Sequence, residues 1–256
     1  MKVIKNGYEF TVQPERFFET LKRSGNVFHS SYYALFWRMV NHNFWEPTTY
    51  KIFDRFLDSK HSYVELAAWI GPTLLYGCQI AKHCYAIEPD LIALKSLKKN
   101  ISLNKKLKRK ISLYEGAIWN KTGTLSIKST CEIGASSPMK IESSKTNDVD
   151  CLTFQEFVKQ YGVRACNFIK IDIEGSEAIV LPTMKSWLKA NKPTLHLSLH
   201  PGLFPDKKNS EIIDVLKIYK NIYNRKGKLL SMDKLERMLS RRRFFDIVAT
   251  DLEWLD

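Results

Sequence analysis

No Cys-x-x-Cys pair occurs in this 256-residue chain, and its five cysteines are odd in number, which speaks against a zinc ribbon or a disulfide framework. They read as buried or free thiols of a reducing compartment. The opening MKVIKNGYEFTV lacks the apolar core of a signal peptide. The longest stretch without a charge, residues 66–81, is sixteen residues long and is broken by Gly71, Pro72 and Gly77. A membrane-crossing helix needs about 20 apolar residues, so no membrane span is expected. Internal repeats, low-complexity tracts and Gly/Pro/Ser linkers are also missing. Together these absences predict a cytoplasmic chain with one main domain.

Acidic residues are the scarcer sign: 27 against 40 basic, a net charge of +13. The excess is local. Residues 95–110 carry eight Lys or Arg and no acid, and residues 217–243 carry ten against Asp233 and Glu236. The rest is close to neutral. Hydrophobic residues at 44% and charged residues at 26% exclude disorder, collagen and coiled coil.

Residues 1–60 read as a helical extension, with Phe17, Phe18 and Leu21, then Tyr33, Leu35, Phe36, Met39 and Val40, at helical spacing. Glu46-Pro47 interrupts that pattern. From residue 61 to 256 short apolar runs alternate with helix-length segments. Strands are expected at 63–67, 84–88, 111–115, 168–173, 194–199 and 245–249, and residues 134–147 read as a loop. This alternation predicts an α/β fold with a mostly parallel sheet and helices on both faces.

Two segments carry chemistry. In Val64-Glu65-Leu66-Ala67-Ala68-Trp69-Ile70-Gly71 an apolar strand ends in an acid and small residues, and Ala86-Ile87-Glu88-Pro89 ends a second strand in an acid. Small residues let backbone approach a ligand, and an acid after the second strand can accept both ribose hydroxyl protons. A Gly-x-Gly-x-x-Gly fingerprint is absent, so a nucleoside without a pyrophosphate fits best, and S-adenosylmethionine is the common one. The second segment, Phe168-Ile169-Lys170-Ile171-Asp172-Ile173-Glu174-Gly175-Ser176-Glu177, places three acids around a glycine at another strand end. Asp172 and Glu174 read as functional, and Glu177 as an ordinary first-turn helix residue.

These segments, with Val149-Asp150-Cys151-Leu152-Thr153-Phe154 and Gly116-Ala117, resemble the FkbM-type family of S-adenosylmethionine-dependent methyltransferases across residues 45–200. The resemblance implies a Rossmann-like class I domain with a seven-stranded sheet. It also implies S-adenosylmethionine as cofactor and a sugar hydroxyl, on a glycan or glycosylated small molecule, as acceptor. Glu65 would sit near the methionine amino end, with the backbone at Ala67 and Gly71 beneath the cofactor. Glu88, with Pro89 beside it, would hold the ribose, Gly116 and Ala117 would line the adenine, and Asp172 would stand at the transfer edge. Ala67 replaces the family's first glycine and is expected at negative φ; Trp69 replaces an asparagine.

A hydroxyl acceptor needs a base. His200, after the 194–199 strand, and Asp172 are the candidates, with Glu174 beside them, whereas His196 reads as packed. Asp172, Glu174 and His200 can also hold a divalent ion, which the spacing does not require. The aromatics Phe28, Tyr32, Tyr33, Phe36, Trp37, Phe44 and Trp45 suit either an acceptor cover or a core. Two alternatives stand beside this reading: an RNA methyltransferase using the basic patches, and a non-catalytic module. Oligomeric state is not legible.

Overall fold

The computed structural model describes residues 1–14, 30–128, 146–204 and 209–254. Phe17, Phe18, Leu21, Phe28 and most of the expected 134–147 loop lie outside the described residues.

The chain opens with β1 (Lys2–Lys5) and β2 (Tyr8–Thr11), an antiparallel hairpin where helix was expected. The cause is local: Asn6 and Gly7 take φ of 45° and 84°, the left-handed pair that a two-residue hairpin turn requires. Helices α1 (Ser30–Asn41) and α2 (Pro47–Phe56) follow, separated at Glu46-Pro47. Tyr33, Phe36, Trp37 and Val40 of α1 are buried at i, i+3, i+4 and i+7, so its inner face is core.

Next come β3 (Ser62–Leu66), α3 (Pro72–Ile80), β4 (His83–Ile87), α4 (Leu91–Leu103), α5 (Lys105–Lys108) and β5 (Ile111–Tyr114). A small sheet is built from β6 (Ala117–Ile118), β7 (Gly123–Lys128) and β8 (Thr146–Leu152), so the expected loop is already strand by Thr146. After α6 (Phe154–Tyr161), opened by a Thr153/Glu156 capping box, come β9 (Cys166–Ile171), α7 (Glu177–Asn191) and β10 (Thr194–Leu199). Then α8 (Asn209–Leu216), β11 (Asn221–Asn224), α9 (Met232–Ser240) and β12 (Phe245–Thr250) complete the described chain.

The main sheet runs β11-β12-β10-β9-β3-β4-β5. Its strands from β10 to β5 pair in parallel, and β12 is antiparallel to both its neighbours. Chain order reverses at β3 and β9: β4 and β5 extend to one side, and β9 and β10 return on the other. Such a switch point leaves a crevice beyond the carboxyl ends of the strands, where open α/β sheets bind ligands. Both faces are covered, so the strands bury both sets of side chains. One face, with Val64, Ile169, Leu197 and Ile247, packs on α6, α7, α8 and α9. The other, with Tyr63, Cys84, Ala86 and Phe168, packs on α1, α2, α3 and α4. Among the described residues no helix is long and apolar enough to cross a membrane.

The turn from β3 to α3 is wound left-handed at three points: Ala67 at φ 61°, Trp69 at 49° and Gly71 at 93°. The expected negative φ at Ala67 is therefore corrected. Ala68 N–H is held by the Ile87 carbonyl at 2.9 Å and Gly71 N–H by the Ala68 carbonyl at 2.9 Å, and this bonding outweighs the preference of Ala67. A left-handed alanine costs about 1 kcal/mol, which glycine avoids. Ala67→Gly is expected to raise thermal stability by about 2–4 °C in calorimetry. Gly71→Ala should lower it, since a Cβ there would stand 2.8 Å from Leu97 Cδ1. A fall in melting temperature for Ala67→Gly would contradict this backbone geometry.

Candidate active site

Four adjacent parallel strands, β4, β3, β9 and β10, each hand over to a chemically informative residue immediately past the last strand position: Glu88, Ala67, Asp172 and His200. All four line one cleft of about 760 Å³. Pro89, Ala117 and Glu174 line it too, so seven of the residues singled out in the sequence are brought together. Glu65, Gly71 and Gly116 do not reach the wall. Glu65 is fully buried beneath it, Gly71 is occupied by contact with α4, and Gly116 backs onto Tyr114 and the Asp150 carbonyl.

On the β4 side the cleft is made for a polar group between apolar walls. Glu88 is 4% exposed, and its carboxylate accepts the Trp69 N–H at 2.6 Å and the Asp90 N–H at 2.8 Å. Burial pushes its carboxyl up to about 8, the two backbone donors and nearby acids adjusting that rise. Ile87, Pro89, Ile92, Ile118 and Trp119 supply apolar surface around it. The Trp69 ring meets Phe36 edge-on at 4.7 Å and Tyr33 at 6.4 Å, so the extension holds it at the cleft margin. Of the extension's aromatics, Trp37 and Phe36 are core, Phe44 and Trp45 line the cleft, and the buried Tyr33 does both.

Beneath the β3–β9 junction the apolar sheet face turns ionic. Glu65, Lys170 and His196 are register partners on β3, β9 and β10, so their side chains form one row. Lys170 Nζ is 3.2 Å from Asp172 Oδ2 and 4.0 Å from Glu65 Oε1. Burial alone would lower the lysine, but Asp172, Glu65 and Glu46 raise it above its ordinary value. Asp172, despite burial, is held below the usual carboxylate range by Lys170 and His200. Glu65 is raised by burial, against the pull of Lys170 and its hydrogen bonds from Thr73 and Tyr63. His196 is pushed down to about 3 by burial and by Lys170, and is neutral.

His200 is gripped from behind. Its Nδ1 lies 3.2 Å from Glu177 Oε1, and Glu177 is itself fully buried, accepting the Ile173 N–H at 3.1 Å and the Gly175 N–H at 3.0 Å. Nε2 has no hydrogen-bond partner among the described residues and stands 3.9 Å from Asp172 Oδ1. Burial lowers the imidazole, but the Glu177 hydrogen bond and the nearby acids outweigh it, so His200 titrates above its ordinary value. An imidazole held at one nitrogen and buried without a hydrogen-bond partner at the other has a lone site to offer, as a general base requires. Glu177 is thus more than a first-turn helix residue. Its role was hidden because its partner lies 23 positions away.

Sequence reasoning also missed Glu46 and Asp246. Glu46 lines the cleft and accepts from Thr49 Oγ1 at 3.0 Å; burial, together with Asp172 and Asp246, raises it to about 7 although Lys170 opposes the rise. In the sequence Glu46 marks only the break before Pro47. Asp246, also on the cleft wall, is an acid inside an otherwise apolar strand run, a signal present in the sequence. Among the described residues no group of three His, Cys, Asp or Glu side chains is arranged to hold a metal ion.

Known structures of similar fold include a methyltransferase FkbM from Methylobacillus flagellatus KT, at 18% identity and a TM-score of 0.49. That alignment covers 86% of this chain and 54% of the other, so the chain spans about half of that protein's length. An rRNA methylase from Streptococcus thermophilus aligns at 8% identity and TM-score 0.45, over 79% of this chain and 93% of that one. TYW2 from Pyrococcus horikoshii, solved with MeSAdo, aligns at 14% identity and TM-score 0.41, over 81% and 65%. A comparison with curated proteins finds no match. The sequence model of the methyltransferase FkbM domain matches residues 70–225, from the first strand-to-helix turn through β11. With more than half its length inside that match, the chain belongs to the FkbM methyltransferase family.

Proposed function

We propose that the chain is an S-adenosylmethionine-dependent O-methyltransferase that methylates a sugar hydroxyl of a glycan or glycosylated small molecule. The observation that carries this reading is the pairing, in one cleft, of a nucleoside-suited acid, Glu88, with an oriented imidazole whose buried Nε2 has no hydrogen-bond partner among the described residues. The residues present fit the cofactor. Glu88 would hold the ribose, the backbone at Ala67 to Trp69 would run beneath it, and Ile118 and Ala117 would face the base. Ala67 already has the left-handed conformation expected of the glycine it replaces, and the Trp69 ring is drawn to Phe36 and Tyr33. Both features favour a competent site over a non-catalytic module.

When bound, S-adenosylmethionine would supply an electrophilic methyl group on a sulfonium, the sulfur–methyl bond breaking as S-adenosylhomocysteine leaves. His200 Nε2 would accept the acceptor's hydroxyl proton as the oxygen–carbon bond forms, and Glu177 would stabilise the imidazolium that results. Asp172, kept ionised by Lys170, would orient the same hydroxyl. Alignment and proton removal are what such a displacement asks of a protein.

Two outcomes are expected. In calorimetric titration the cofactor and its demethylated product should bind in the micromolar range, and Glu88→Gln should weaken both tenfold or more, a loss of about 1.4 kcal/mol. Ribose hydroxyls favour the carboxylate, so binding to the neutral Glu88 releases a proton. Affinity should rise with pH up to about 8 and then level off in the parent, and lose that dependence in Glu88→Gln. Unchanged affinity in the variant would contradict the cofactor assignment.

The second concerns the base. The pH profile of kcat/KM should rise through an inflection above the ordinary histidine value, because the raised His200 must first lose its proton. His200→Ala should reduce kcat by about 10²–10⁴. Glu177→Gln removes the charge that raises His200 and should move the inflection to lower pH. An inflection that stays in place would argue against the His200–Glu177 pair.

A further inference from the structure

The cleft also has a basic rim that methyl transfer does not use. The turn after β11 carries Arg225 and Lys226, both exposed and both on the cleft wall. That turn is fixed: Asn224 Oδ1 accepts the N–H of Lys226 at 2.9 Å and of Lys228 at 3.0 Å, and Gly227 N–H donates to the Asn224 carbonyl at 2.9 Å. β12 delivers a second basic turn to the same edge. Asn224 pairs with Ile247, and Phe245 pairs with Leu199, the residue before His200. Residues 241–244 therefore stand beside the end of β10, and residues 225–228 lie at the same sheet edge, across β12 from it. There Arg242 donates to the Gly202 carbonyl at 3.1 Å, and the Phe244 ring lies 5.0 Å from that of His200. The other basic helix, with Lys105, Lys106 and Lys108, lies at the opposite sheet edge, where α5 leads into the first residues of β5.

The cations of this rim, unlike the paired Lys170 below, are under-used. Arg225 reaches Asp246 only at 4.0 Å and its side chain is 55% exposed, so most of its five donors face outward. Lys226 has no acidic partner among the described residues. The cleft floor below is acidic, with Asp172, Glu174 and Asp246. A neutral sugar would be served by hydrogen-bonding side chains alone. Two adjacent cations held at the mouth, one a planar guanidinium, match a phosphate or carboxylate that accepts bidentate bonds. The acidic floor would repel that anion outward to the rim, leaving the sugar ring between it and His200, with Phe244 as an apolar face beside it.

We infer that the acceptor is an anionic saccharide, a sugar bearing a phosphate or carboxylate group held by Arg225 and Lys226 while one of its hydroxyls faces His200. This rests on the O-methyltransferase reading and narrows its substrate class.

The test uses the full chain saturated with S-adenosylhomocysteine. Glucose, galactose and mannose are compared with their uronates and 6-phosphates, with ligand-observed NMR for binding, followed by methylation assays with S-adenosylmethionine. An anionic member should bind at least tenfold more tightly than its neutral counterpart, and that preference should shrink at high salt. It should also fall tenfold or more in Arg225→Gln/Lys226→Gln and persist in Lys105→Gln/Lys106→Gln/Lys108→Gln, with melting temperature and cofactor affinity read as controls on folding. Uronates and phosphates compared side by side distinguish the two anion sources. Equal binding of neutral and anionic sugars, a preference that survives the Arg225/Lys226 change, or binding of a short oligoribonucleotide but no sugar would each overturn the inference. Neutral sugars methylated as well as anionic ones would leave the parent reading standing without this one. Failure to bind the cofactor would remove both.

Discussion

A single ammonium, that of Lys170, sits in the middle strand of the sheet at 4% exposure, and the carboxyl edge is arranged around it. Burying a charge costs several kcal/mol unless it is paired and hydrogen-bonded. Here Asp172 at 3.2 Å and Glu65 at 4.0 Å supply the pairing, and Glu46 adds its field from the extension. The consequences run outward. Asp172 stays ionised at the cleft floor. His196, next in the row, stays neutral, and its ring nitrogens lack hydrogen-bond partners among the described residues. Glu65 is committed to holding Lys170 and has no part in the cleft wall.

Around that centre the topology does the positioning. The chain reverses between β3 and β9, so the ends of β4, β3, β9 and β10 open onto one crevice, and each presents its next residue there. The side walls come from elsewhere. The β6-β8-β7 sheet contributes Ala117, Ile118, Leu125 and Ile127, and the N-terminal extension contributes Tyr33, Phe44, Trp45 and Glu46. The strands thus fix the acids and the imidazole at the cleft floor, while the added elements shape the space in front of them.

Much of the fold was legible because parallel strands buried on both faces write continuous apolar runs. The six expected strands differ from the observed ones by no more than two residues at either end. What escaped was encoded by short-range turn chemistry or by long-range pairing. The β1–β2 hairpin was announced by Asn6-Gly7 and obscured by the helical spacing that follows. β11 is four residues long within a basic stretch and gains its stability from pairing with β12. At the site, Glu88, Asp172 and His200 were legible because each directly follows an apolar run. The resemblance puts Glu65 near the methionine amino end, and nothing in the sequence says that Lys170 is its register partner. Glu177 and Glu46 gain meaning only through His200 and Lys170, residues far from them in sequence.

The measurement that tests this account most directly is a double-mutant cycle in urea, comparing the unfolding free energies of Lys170→Met, Glu65→Gln and the double variant. If the buried ammonium holds the acids, Lys170→Met alone should cost about 3–5 kcal/mol, since it strands carboxylates without a partner. Glu65→Gln in the same chain should then recover a substantial part of that loss. A Lys170→Met protein within about 0.5 kcal/mol of the parent, or strictly additive variants, would show that the edge does not depend on this cation.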